Sequence, residues 1–214
     1  MRLGLNHQFG DRRVTSNFGF GYRELLANNT MLVGINWFHD CEWDYNHSHF
    51  SLGGELRWAG FDLNTNKYWS LSSKHSVDNG VLKNLLDGVD AELTTQIPYL
   101  PWVMARGRYA WWDSVDAADD IEDWTGSVEM DFLQNFQFEA SYRDNNFIDG
   151  AYFTKVRFTL GGNSNKPVAA SSRFIDDEPW RVHNMADHTL NKVRRENEIV
   201  AERTAGGVVI ARGD

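Results

Sequence analysis

The sequence has too few of the residues on which several protein classes depend. Cys41 is the single cysteine among 214 residues, so an internal disulfide and the zinc or redox motifs that need paired thiols are excluded. Lysine and arginine together number 21 against 30 acidic residues, and a formal charge of -9 disfavours sequence-independent binding to nucleic acid. No apolar run of about 20 residues is present, so no transmembrane helix is expected. The first ten residues also lack the apolar segment of a secretory signal.

What the sequence does contain is a regular alternation of apolar and polar residues, which is typical of β-strands with two different faces. In one such segment Phe50, Leu52, Leu56 and Trp58 alternate with Ser51, Gly53, Glu55 and Arg57. Ten segments with this pattern predict ten strands, at residues 2–9, 17–23, 30–40, 50–58, 61–71, 89–97, 102–112, 124–132, 136–143 and 152–160. Each has about the length of a tilted membrane-crossing strand.

The two faces of these strands differ in a way that a dry protein core does not allow. One face is aromatic and aliphatic, and the other carries polar and charged side chains: Arg23, Asn36, Glu55, Arg57, Asp90, Glu92, Arg106, Arg108, Glu129, Asp131, Glu139, Arg143, Lys155 and Arg157. Burial of unpaired charges is costly, so this face must be hydrated or internally paired. We interpret residues 1–160 as an all-β, antiparallel transmembrane outer-membrane β-barrel in which these residues line the lumen and the apolar face contacts lipid. A soluble sandwich or lipocalin-like barrel, with its apolar face inward, is the alternative.

The connections between the strands support the membrane interpretation because they alternate in length. Short joins at 24–30, 58–61, 98–101 and 132–136 alternate with longer polar joins at 41–48, 73–87, 113–122 and 144–150. Outer-membrane barrels have short periplasmic turns and longer external loops. Aromatic residues near the strand ends predict girdles at the two interfaces: Trp37, Trp58, Trp69, Tyr99, Trp102, Trp111, Trp112 and Trp124. Lys67 falls on the apolar face by parity, and we expect a bulge there.

The composition changes after Leu160, and residues 161–214 are predicted to be a separate linker. Gly161–Ser172 is rich in Gly, Asn and Ser, and Asp187–Arg203 predicts a helix that is polar around its circumference. If the long loops are external, the last strand ends on the inner side, and the tail must stay there or return through the lumen. The return is favoured, since a polar segment suits a charged interior. The predicted pore-threading residues are Val193, Arg194, Arg195, Glu196, Asn197 and Glu198.

Two clusters of polar residues contain potential metal ligands, but neither has the residue spacing that a known metal site requires. The first comprises His39, Asp40, Cys41, Glu42, Asp44, His47 and His49, and the second is the acidic stretch 116–123. No ligand order in either matches a known coordination geometry, so both are interpreted as solvated loop residues. We predict no metal site, no cofactor and no catalytic residue.

A series of short motifs runs in order along residues 15–203. They are Gly34, Asn36, Phe38 and Asp40; Leu52 to Glu55 with Trp58; Asn66 with Tyr68; Gly88 with Asp90; Tyr99 to Pro101; and Val193 to Val200. Together they resemble the inverse autotransporter β-domain of intimin and invasin. The resemblance implies a twelve-stranded outer-membrane barrel whose C-terminal linker threads the pore and exports an adhesive surface passenger. It also implies contact with outer-membrane lipid, barrel-assembly machinery, periplasmic chaperones and, through the passenger, a host receptor.

This sequence differs from the family pattern in two respects. Ten strands are predicted, and no segment long enough to be a passenger follows Arg203. We therefore expect the family's first two strands and its leader to precede Met1, and the passenger to lie beyond the other end.

Three functions compete at this point. A translocator and anchor for an adhesin is preferred, with a plain solute pore as the second possibility. A hydrolase at the outer rim is the third, using loop residues such as His75, Asp78 and Asp113, although no motif orders them.

Overall fold

A computed structural model describes residues 2–8, 11–43, 47–58, 60–72, 75–77, 81–115, 119–147, 149–158, 167–170, 174–180, 184–195 and 200–203. The strands are β1 (Arg2–Gln8), β2 (Asp11–Leu26), β3 (Met31–Glu42), β4 (His47–Trp58), β5 (Phe61–Ser70), β6 (His75–Val77), β7 (Val81–Leu85), β8 (Gly88–Ile97), β9 (Leu100–Trp112), β10 (Ile121–Leu133), β11 (Phe136–Asn145), β12 (Ala151–Phe158) and β13 (Ala201–Arg203). Within these ranges the helical structure is a 3-10 turn at Met185–His188. None of the described helical structure is long and apolar enough to cross a membrane.

Ten of the strands form one antiparallel sheet whose members lie side by side in chain order. The order is β1-β2-β3-β4-β5-β8-β9-β10-β11-β12. Long uninterrupted ladders join them, as between β3 and β4, where the register runs from Met31↔Trp58 to Glu42↔His47. The prediction of ten antiparallel strands is confirmed, and most strands extend a few residues beyond the predicted bounds.

From β4 onward, joins of two residues alternate with longer joins as predicted, whereas the β2–β3 and β3–β4 joins are each four residues long. The short joins include the turn at residues 27–30 and the two-residue turn Pro98–Tyr99 between β8 and β9. Tyr99 has a φ of 65° directly after a proline, which is the pattern of a type II turn. The longer joins lie at the opposite ends of the strands. The β2–β3, β4–β5, β8–β9 and β10–β11 turns therefore form one rim of the sheet, which we call the turn rim. The other joins, among them the two-residue β1–β2 join, form the opposite rim, which we call the loop rim.

The faces of the sheet are inverted relative to a soluble protein. Charged and amide side chains such as Glu55, Arg57 and Asp90 are buried, at 6%, 3% and 5% exposure, whereas Phe20 and Ile35 are exposed by 65% and 64%. The polar face is buried on the strands from β2 to β11, which requires this part of the sheet to curve around an interior, whereas the residues of β12 are exposed. The alternative with the apolar face inward is therefore wrong, because the exposed apolar surface is far larger than a soluble monomer carries.

A small apolar cluster lies inside the sheet near the loop rim. Its members are Tyr68, Leu86, Ala110, Trp112, Ile121 and Val200. Trp112 is 2% exposed and Trp102 is 6% exposed, so the prediction that these two rings belong to a lipid-facing girdle is wrong. The expected bulge at Lys67 is also wrong, because the β4–β5 ladder runs without a shift from His49↔Ser70 to Trp58↔Phe61. Lys67 lies close to the loop-rim end of β5, where a long side chain can reach the interface.

The structure corrects two predictions about the connections and the tail. The join at 73–87 contains the hairpin β6–β7, and β13 adds to it to make a three-stranded sheet in the order β13-β7-β6. The predicted helix at 187–203 is absent from its described residues, which form the end of the 3-10 turn, irregular backbone and the strand β13. Polar side chains of the sheet and the edge of β7 offer hydrogen bonds to this backbone, and tertiary contacts of that kind override local helix propensity.

Candidate functional site: the occupied bore

The tail first follows the turn rim before it enters the sheet. Ala169 N–H donates to the carbonyl of Asp131 at 2.9 Å, and Asp176 N–H donates to the carbonyl of Tyr99 at 2.7 Å. Further along, Met185 N–H donates to the carbonyl of Asn29 at 2.8 Å. The tail thus passes the turns in reverse order, from the last to the first. We call the described residues 167–170 and 174–180 the rim strap.

Arg23 on β2 is the first inward-facing residue to hold the tail beyond the rim strap. Its Nη1 donates to the carbonyl oxygens of Thr189 and Asn191, both at 2.6 Å. Glu55 on β4 fixes this guanidinium through a contact with Nε and a second bond to Nη2 at 3.0 Å. Arg57 Nη2 lies 3.5 Å from the same carboxylate. Because Glu55 orients Arg23, the guanidinium is directed at backbone oxygens of the tail.

Arg194 of the tail is held by one wall of the sheet. Its Nη1 lies 3.1 Å from Glu92 Oε1, 3.3 Å from Thr94 Oγ1 and 3.8 Å from Glu129 Oε1. The carbonyl of Arg194 accepts a hydrogen bond from Asn66 Nδ2 at 3.2 Å. These partners lie on β8, β10 and β5.

Arg195, the next residue, is held by the opposite wall. Asp40 on β3 accepts from both of its terminal nitrogens, at 2.7 Å and 2.5 Å, which is the bidentate geometry that guanidinium favours. Its carbon Cζ lies 4.0 Å from the centre of the Phe38 ring, within cation–π range, and Ser51 Oγ lies 3.3 Å from Nη1. The side chains of Arg195 and Asp40 are 1% and 6% exposed.

Two consecutive arginines therefore brace the tail against opposite sides of the sheet. Asp40 on β3 and Glu129 on β10 are separated by four strands in the sheet order, yet both contact this one dipeptide. The sheet must curve around the tail for this to occur. We call Arg194 and Arg195 with their partners the arginine brace.

The tail leaves the interior at the loop rim. Leu86 N–H donates to the carbonyl of Val200 at 3.2 Å, and Val200 is 3% exposed within the apolar cluster. The next residues form β13, which pairs antiparallel with β7 from Ala201↔Leu85 to Arg203↔Lys83. The apolar cluster closes around the emerging backbone, and the hairpin holds it by strand addition.

The remaining lumen residues named from the sequence fall into pairs along the inner face. Arg106 contacts Glu129 and lies 3.7 Å from Glu92 and 3.4 Å from Glu139, so three carboxylates surround one guanidinium. Arg108 donates to Asp90 at 3.0 Å, and Arg143 contacts Asp123. Each of these three guanidinium groups has at least one carboxylate partner, as a partly buried charged face requires.

Some of the named residues lie apart from the tail. Asp131 accepts from Gln137 at 3.0 Å and Arg157 donates to Gln137 at 2.6 Å, while Lys155 is exposed on β12. Asn36 is 4% exposed on β3, and Val193 is half-buried in the tail. Glu196, Asn197 and Glu198 lie outside the described residues.

Several residues that hold the tail were not named from the sequence as lumen residues. They are Phe38, Asp40, Ser51, Asn66 and Thr94. Asp40 had been grouped with loop histidines and Cys41, but it is the partner of Arg195, and Glu42 lies 3.2 Å from His47. Strand parity could have identified them, since each shares a face with a named residue. No three His, Cys, Asp or Glu side chains come together as metal ligands in the described ranges.

This combination of features defines a class of protein. An exposed apolar face, a buried charged face, short turns on one rim and longer loops on the other are those of an outer-membrane β-barrel. The family model described as "Inverse autotransporter, beta-domain" matches residues 1–197, and the chain belongs to this family. It is accordingly a translocator domain of the outer membrane.

Other comparisons concern the fold. A solved structure reported under "Unveiling the Mechanism Behind the in-meso Crystallization of Membrane Proteins" is similar, with a TM-score of 0.72 and 19% identity, covering 89% of this chain and 81% of that chain. At this identity the likeness concerns the fold alone. No curated protein matches the chain significantly.

Proposed function

We propose that this domain exports a passenger attached beyond its tail, displays it at the bacterial surface and then anchors it there, with the tail retained in the bore. The arginine brace is the observation that carries this proposal. A segment that merely filled a pore would need no bidentate, nearly solvent-free ion pair between residues 155 positions apart.

The direction of the tail supports export toward the loop side. It starts at the turn rim, is bound by Arg23, passes the arginine brace and leaves at the loop rim as β13. Longer loops face the outside in outer-membrane barrels. A passenger continuing from this end would therefore emerge at the cell surface.

The inner face suits a conduit that carries out no bond chemistry. Its charges are neutralised by one another or by the tail, as with Arg106 among Glu92, Glu129 and Glu139. Such a surface can hydrogen-bond a passing backbone without offering one strong binding site. Folding of the barrel would require the barrel-assembly machinery and periplasmic chaperones, and a host receptor would bind the passenger.

An epitope fused after Asp214 tests the direction of export. The chain is expressed with an export leader, and intact cells are labelled with antibody. We expect labelling without permeabilisation. Labelling that requires permeabilised cells would contradict display, and a control epitope placed in the short turn at residues 134–135 should be accessible only after permeabilisation.

Single-channel recording separates this function from a plain solute pore. A variant ending at residue 160 lacks both the rim strap and the arginine brace. We expect it to conduct far more than the full chain, because the tail no longer occupies the bore. Equal conductance of the two proteins would favour the solute pore.

A further inference from the structure

The rim strap exposes large apolar side chains that contribute little to the interior. Phe174 is 61% exposed, Ile175 is 64% exposed and Trp180 is 41% exposed. The backbone of the strap is nevertheless held by specific hydrogen bonds. Tyr99 N–H donates to the carbonyl of Pro179 at 3.0 Å, and Trp102 Nε1 donates to the carbonyl of Phe174 at 2.9 Å. The strap backbone is thus held by hydrogen bonds while these three apolar side chains remain largely exposed.

These apolar side chains join the outer, lipid-facing surface of the barrel. The ring of Trp180 lies 6.0 Å from that of Phe61, which is an outward-facing residue of β5, at a tilt of 38°. A Cβ built on Gly60 would lie 2.9 Å from Trp180 Cδ1, so the glycine leaves room for the indole against the turn. The centre of the Phe174 ring lies 4.9 Å from that of Trp102 at a tilt of 46°, and the Trp102 ring in turn lies 5.7 Å from that of the outward-facing Phe132. Trp180 therefore contacts the apolar outer face directly, and Phe174 is linked to its edge through the buried ring of Trp102.

The position and chemistry of these residues suit a membrane interface. They lie at the turn rim, where the apolar face ends and headgroups begin, and Trp is enriched at that level. The residues between the apolar ones are acidic, at positions 176–178, and Asp177 and Glu178 are exposed. A peptide in which a block of acidic residues lies between apolar ones can insert its rings while its carboxylates stay in water, but it is repelled by anionic headgroups.

We propose that Phe174, Ile175 and Trp180 form a lipid-interface anchor that seats the tail on zwitterionic lipid of the inner leaflet, beside the turn rim. The anchor places the start of the threading segment next to the mouth of the bore. It goes beyond the export function, because a strap seated on lipid would exist whether or not a passenger is carried.

Nitroxide accessibility tests the anchor in the full chain. In a Cys41→Ser background, single labels are placed at Ile175, at Asp177 and at Leu93, an outward residue in the middle of β8. The protein is refolded into phosphatidylethanolamine–phosphatidylcholine vesicles. Collisions with oxygen, which concentrates in lipid, are compared with collisions with a water-soluble nickel chelate. Ile175 is chosen as the probe because its replacement leaves both anchoring rings in place.

We expect the Ile175 label to resemble the Leu93 label, with oxygen dominant, and the Asp177 label to show the reverse. Adding Trp180→Ala should shift the Ile175 label toward the nickel reagent, and replacing part of the lipid with phosphatidylglycerol should shift it the same way. An Ile175 label that matches Asp177 would overturn the anchor. An Ile175 label shielded from both reagents would also overturn it, because protein rather than lipid would then cover the strap.

The controls distinguish this failure from failure of the export function. A Leu93 label that is accessible to nickel would show that the barrel is not in lipid, and the anchor would fall with it. An oxygen-dominant Leu93 label beside a water-exposed Ile175 label would leave export intact and refute the anchor alone.

Discussion

Removal of Arg195 provides the sharpest test of how the tail is held. In the Arg195→Ala variant, Asp40 loses both guanidinium bonds and the Phe38 ring loses its cation. The carboxylate, which is 6% exposed in the wild type, is left with its 2.5 Å bond from Asn17. Removing one partner of a buried ion pair typically costs about 3–5 kcal/mol, because the other charge is left uncompensated. The folded barrel can avoid this cost by releasing the tail and hydrating Asp40.

This cost sets the expected change in the equilibrium between docked and released tail. If the whole cost bears on tail docking, the ratio of released to docked tail rises by roughly 150- to 4,000-fold, at about 1.4 kcal/mol per tenfold. Single-channel recording in a planar bilayer measures this as the fraction of time spent in the high-conductance state. Arg195→Lys should have an intermediate effect, because an ammonium group keeps the charge but not the two-pronged geometry or the stacking.

Two comparisons make the result decisive. Arg157→Ala also removes a guanidinium from the sheet, but this group donates to Gln137 and not to the tail. The variant should therefore leave the open fraction near that of the wild type. The Asp40→Ala, Arg195→Ala double variant should release the tail less than the two single effects combined, since no unpaired charge remains. Heat-modified electrophoretic mobility confirms folding in each case. An Arg195→Ala open fraction equal to that of Arg157→Ala would refute the brace.

Three further predictions concern the barrel wall and the loop rim. Leu93→Arg places a charge on the lipid face and should destabilise the barrel by about 2–4 kcal/mol in guanidinium unfolding from vesicles, whereas Leu93→Ala should cost much less. Trp112→Ala should lower the unfolding free energy by about 3–5 kcal/mol through the cavity it leaves, and a wild-type midpoint would show that the cluster is unimportant. Val200→Asp should expose the tail near β13 to protease on the loop side while the barrel keeps its folded mobility; unchanged protection would contradict the seal at the loop rim.

Much of the wall of this barrel could be predicted from the sequence. Alternation at a period of two assigns every other residue to one face, so the parity of Glu55 and Arg57 places both inside. The same rule would have placed Trp112 inside, because it shares the parity of Arg106 and Arg108, yet its position near a strand end suggested an interfacial ring. Parity was the stronger signal there, since a paired strand cannot turn one side chain to the other face without a bulge.

The tail was less predictable. The stretch of charged residues at 187–203 is compatible with a helix. Local helix propensity does not reveal which groups elsewhere in the chain will hydrogen-bond to the backbone of this stretch. Arg23 and Asn66 bind its carbonyl groups, and β7 offers an open edge to β13. Each of these interactions replaces a hydrogen bond that a helix would have made within itself.

The sequence by itself determined the ten strands of the large sheet, their faces, most of the alternation of turns and loops, and the presence of a polar tail after them. These properties arise between residues close together in the chain, where the period of the backbone decides which way a side chain points. Only the tertiary structure decided that the tail would run along the turn rim, that Asp40 would bind Arg195 and that β13 would pair with β7. Those contacts join residues from about forty to more than 150 positions apart. They form because the curvature of the sheet brings distant polar groups into one narrow interior.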